Sequence, residues 1–62
     1  MKVSFYVVGA PDQPLCVCRM EALPRRGEAV RIDWDGWVVE NVVHVVRSND
    51  EPTIKVFLEP LP

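Results

Sequence analysis

The sequence predicts an all-β domain, a five-stranded antiparallel meander closing into a small barrel that takes up residues 1–62 as a single unit. Three observations carry this reading. Short runs rich in β-branched and aromatic residues alternate with clusters of Gly, Pro, Asp and Asn. No segment keeps a helical period long enough to form an amphipathic helix, and six prolines oppose one. A chain of 62 residues is also too short to hide long sheet edges under other layers, so closing the sheet on itself is the economical way to remove them.

Lys2 to Val8 reads as strand one. The apolar start resembles a signal peptide only superficially, because Ser4 interrupts it and Pro11-Asp12 follows it. Gly9 to Pro14 forms the first loop. Leu15 to Ala22 is strand two, with Cys16, Cys18, Met20 and Ala22 on the core side and Leu15, Val17, Arg19 and Glu21 on the other. A disulfide between cysteines two apart on an extended strand would be strained, so both are expected to be free, buried thiols, as suits a reducing cytoplasm.

Leu23-Pro24-Arg25-Arg26-Gly27-Glu28 is a turn, with proline setting φ at its entry and glycine releasing it. Strand three is Ala29 to Trp34. Asp35-Gly36 then reads as a two-residue type I′ turn, which places Gly36 at positive φ and pairs Trp34 with Trp37, Ile32 with Val39 and Arg31 with Glu40. Strand four, Trp37 to Arg47, is long. Asn41 would interrupt its apolar face, so either a bulge near that residue re-aims the chain or the strand bends and contributes to both halves of the barrel. Ser48 to Pro52 turns the chain, and Thr53 to Glu59 is strand five, with Ile54, Val56 and Leu58 on one face before Pro60 and Pro62 end it.

The pattern Leu-Pro-x-x-Gly-Glu-x-Val at Leu23 to Val30, followed by Asp35-Gly36 and a valine-rich strand, resembles small SH3-like β-barrels of uncharacterised bacterial and phage proteins. The likeness covers roughly residues 23–59 and rests on turn chemistry. It implies the fold. Such barrels serve as peptide binders, nucleic-acid binders, assembly modules and inhibitors, so the resemblance selects no single activity.

Composition narrows the functional classes. Seven basic and nine acidic residues give a net charge of −2 with no basic stripe, so nucleic-acid binding is not favoured. No run of apolar residues is long enough for a membrane-spanning helix, and no membrane role is expected. Cys16, Cys18 and His44 fall short of the four ligands of a structural zinc site, so neither metal nor cofactor is expected. A phosphate-cradling glycine loop, a serine elbow and a carboxylate pair set for acid–base work are all absent, so the chain reads as a non-enzyme.

Trp34 and Trp37 are the most informative residues, because tryptophan both fills small cores and concentrates binding energy at interfaces. The expected function is a binding module acting through protein contacts, with Trp34, Trp37, Asp33 and Asp35 as its surface and a protein, or a second copy, as its partner. Trp37 is expected to serve the core and Trp34 the contact. One alternative is a phage-type acidic inhibitor that imitates nucleic-acid phosphates and blocks a defence or transcription complex, adding Glu28, Asp50 and Glu51 to the two aspartates. The other is nucleic-acid binding through Arg19, Arg25, Arg26 and Arg31.

Overall fold

Five strands form one sheet in the computed structural model, which describes residues 1–62: β1 (Lys2–Val7), β2 (Cys16–Arg19), β3 (Ala29–Ile32), β4 (Asp35–Val45) and β5 (Thr53–Pro60). Their lateral order is β2-β1-β5-β4-β3, and the sheet curls into a nearly closed barrel. The number of strands and their places in the chain match the sequence pattern. The antiparallel meander does not: β1 and β5 lie side by side in parallel, with Val3 opposite Ile54 and Phe5 opposite Val56, so the sheet is mixed. The other three pairings are antiparallel.

The core follows from that order. Its six buried residues are Val3 and Phe5 from β1, Val39 from β4, and Ile54, Val56 and Leu58 from β5, all contributed by the three central strands. Alternation along β5 makes this possible, since residues two apart leave the same face. Cys16, Met20, Leu23, Val30, Ile32, Trp37 and Val42 pack around this centre and are only partly covered. On the outer face Tyr6 and Phe57 stack at 5.6 Å between ring centroids, and the Lys55 ammonium lies 5.6 Å from the Tyr6 ring.

The long fourth strand carries the expected bulge. Val39 pairs with Leu58 and Asn41 with Phe57, which leaves Glu40 as the extra residue. The shift moves Asn41 to the outer face, where its Oδ1 accepts a hydrogen bond of 3.0 Å from the Val42 amide, and turns Val42 inward opposite Val56. Without it the polar amide would point into the core.

The hairpin between β3 and β4 turns two residues earlier than Asp35-Gly36. Ile32 pairs with Asp35, Arg31 with Gly36 and Val30 with Trp37, so Asp33 and Trp34 form the turn. Asp33 takes the positive φ, at 55°, and Gly36 sits in an ordinary strand conformation. The expected pairings of Trp34 with Trp37, Ile32 with Val39 and Arg31 with Glu40 are therefore replaced. A Cβ at Gly36 would lie 2.7 Å from Leu61 Cδ1, the outer end of a half-exposed side chain that can turn aside, and the Leu61 amide donates to the Gly36 carbonyl at 3.3 Å. Turn geometry does not require glycine at this position.

Asp33→Val is expected to destabilise the domain by about 1–3 kcal/mol, because a β-branched residue resists the left-handed conformation. Asp33→Asn should be nearly neutral, since asparagine tolerates that region. Gly36→Val and Gly36→Asn should resemble one another, each displacing Leu61. Thermal unfolding of the four variants tests this. A large gap within the Gly36 pair and none within the Asp33 pair would return the turn to Asp35-Gly36.

Candidate contact surface at the hairpin tip and the open seam

The two-residue turn lifts Trp34 out of the sheet and leaves it 94% exposed, with Asp33 and Asp35 exposed on either side. Trp37 behaves differently. It lies opposite Val30 on one neighbour and Pro60 on the other, packs against the core, and is half-buried. Its indole Nε1 is buried without a hydrogen-bond partner, a cost the ring bears in exchange for covered apolar area. The two indoles are thus separated in role: one fills, the other projects.

Beneath the tip the barrel is open. β2 and β3 are the two ends of the sheet order and are not hydrogen-bonded to each other. Between them runs a shallow depression of about 290 Å³ lined by Phe5, Cys16, Cys18, Met20, Val30, Ile32, Arg31 and Asp33. Cys16 and Cys18 pair with Phe5 and Val3, so both stand on the core side of β2 as the alternation requires. Both thiols are free. Only Cys16 is partly covered, however; Cys18 is exposed because the seam opens above it, which corrects the expectation that both are buried. Desolvation raises the Cys16 pKa above its ordinary value, and the neighbouring Cys18 and Asp33 raise it further.

The remaining charged residues are dispersed. Glu28 is tied to the β2–β3 loop, where its Oε1 accepts a hydrogen bond from the Arg25 amide. Asp50 and Glu51 lie in the β4–β5 turn, and Glu51 meets Arg19 at 3.5 Å with both side chains largely exposed. The eleven-residue β4, which begins at Asp35, runs from the hairpin tip to that turn, so these carboxylates occupy opposite ends of the barrel. Among the arginines, Arg25 and Arg26 share a second depression with Leu23, Pro24, Asn41, Val42 and His44, while Arg31 borders the seam. No three residues among His, Cys, Asp and Glu approach closely enough to hold a metal ion.

Sequence reasoning placed the tryptophans and aspartates near a hairpin tip but missed the seam. The missing signal is non-local: only the parallel pairing of β1 with β5 sends β2 and β3 to the two edges. Comparison with protein-family models, with curated proteins and with solved structures returned no match.

Two measurements follow from this geometry. A thiol reagent at mildly alkaline pH should modify Cys18 quickly and Cys16 slowly in the native protein, because Cys16 is both more covered and poorer in thiolate; equal rates would contradict the placement of β2. Trp37→Ala should cost about 3 kcal/mol. Trp37→Phe should cost much less, since it also removes the unpartnered N–H, and Trp34→Ala should change stability by less than about 0.5 kcal/mol. Denaturant unfolding resolves these differences.

Proposed function

We propose that this domain is a non-enzymatic binding module that recognises another protein through the Trp34 tip. The observation that carries the reading is the near-complete exposure of Trp34 on a two-residue turn. Covering the roughly 200 Å² of a tryptophan side chain contributes at most about 5 kcal/mol at about 25 cal/mol per Å², from which the costs of association are subtracted. The tight turn restricts the backbone beforehand, so a partner orders little more than the side-chain rotamers of the ring. Asp33 and Asp35 set the charge around it, favouring a basic rim on the partner. On this reading the barrel is an SH3-like module of bacterial or phage type working in the cytoplasm, where its free thiols would persist.

The test compares the wild-type chain with Trp34→Ala and with the charge reversals Asp33→Lys and Asp35→Lys as bait in cells that make the protein. Trp34→Ala is expected to keep the wild-type thermal midpoint and to lose at least about 2 kcal/mol of affinity, roughly thirtyfold, for the captured protein. The charge reversals should slow association and reduce its salt dependence. If Trp34→Ala keeps every wild-type interaction at full strength, the tip is not the contact surface.

A further inference from the structure

We infer that the seam between β2 and β3 accepts an extended segment of a partner protein as a sixth strand, and that this segment alternates apolar with acidic residues. The inference rests on the reading of the chain as a protein-contact module and assigns it a second, separable site.

The backbone provides the first argument. Val39 donates to the Glu28 carbonyl, so the alternation of an antiparallel pair makes Val30 and Ile32 the residues bonded to β4. The N–H and C=O of Ala29 and Arg31 therefore point away from β4, into the seam. On the other side Met20 donates to the Met1 carbonyl, which by the same alternation turns the backbone of Val17 and Arg19 away from β1. Both edges thus offer unpaired hydrogen-bonding groups, the template that an added strand uses.

The side chains provide the second. The floor of the seam is apolar and sulfur-rich, formed by Phe5, Cys16, Cys18, Met20, Val30 and Ile32. An inserted strand must set every second residue on this floor, and those residues must be apolar. The intervening residues face outward, flanked by the outward side chains of the two edges: Val17 and Arg19 on β2, Ala29 and Arg31 on β3. Lys2 stands beside Arg19. Arg31 makes no ion pair, and the exposed Arg19–Glu51 contact at 3.5 Å is weak enough to exchange. Asp33, at the tip end, is the one carboxylate lining the depression. Along the edges the complement to Arg19 and Arg31 is therefore acidic.

Topology does not select a direction. The pairings make β2 and β3 antiparallel to one another across the seam, so a strand between them is antiparallel to one and parallel to the other. Either direction therefore gives one antiparallel and one parallel pairing.

The experiment uses synthetic peptides of about seven residues, a typical strand length, with valine at alternate positions and glutamate, lysine or glutamine between. Binding to the full chain is followed by NMR. The glutamate peptide is expected to shift the amides of Val17, Arg19, Ala29 and Arg31, to slow hydrogen exchange at Ala29 and Arg31, and to bind at least about tenfold more tightly than the lysine peptide. The double variant Arg19→Glu/Arg31→Glu should reverse that order, and Arg19→Gln/Arg31→Gln should abolish it. Binding blind to charge, shifts confined to Trp34, or no binding by any peptide would overturn the inference. A free protein that sediments as a dimer with Ala29 and Arg31 already protected would overturn it too, giving the seam to a second copy. The two sites separate cleanly. If Trp34→Ala loses its captured protein while no peptide enters the seam, the tip stands alone; if the glutamate peptide binds Trp34→Ala as it binds wild type, the seam stands without the tip.

Discussion

Val3 lies beside Ile54 and Phe5 beside Val56, so strands from opposite ends of the chain share one hydrophobic layer. All else in the barrel depends on this parallel contact. It makes β5 the central strand, with β1 and β4 at its flanks, and every buried residue comes from these three. With a core of six residues, no peripheral packing could replace it if β5 were displaced.

The same contact determines what is left unfinished. Because β5 takes the inner edge of β1, β2 has only β1 as a neighbour, and β3 has only β4. Both edges therefore border the seam, and the β3–β4 hairpin carries Trp34 to one end of it. The candidate surfaces are consequences of the strand order, with no dedicated insertion or extra element.

Much of this was legible in the residues. The period-two patterns of Ile54, Val56 and Leu58 and of Cys16, Cys18 and Met20 identified the inward faces, and Asn41 on an apolar face betrayed the bulge. Two features were not. Strand order depends on long-range pairing, which no local pattern encodes, and β1 reads the same whether its neighbour runs parallel or antiparallel. The hairpin was misplaced because Asp35-Gly36 has the stronger local turn propensity, whereas the fold keeps Gly36 within β4 and leaves the left-handed position to Asp33. A shift of two residues keeps the alternation of faces, so the pattern of buried and exposed positions could not expose the error.

The central place of β5 also governs when the domain can come into being. During synthesis the chain emerges from its amino end, and β1 leaves the ribosome with one permanent neighbour still unmade. The β1–β2 and β3–β4 hairpins can form early, but each is a two-stranded ribbon with little apolar area to hide, and such ribbons are marginal alone. Only when Ile54, Val56 and Leu58 are released can the two hairpins be joined into a common sheet. Assembly thus waits for β5, and until that strand is made Val3, Phe5 and Val39 remain open to chaperones, to proteases and to one another.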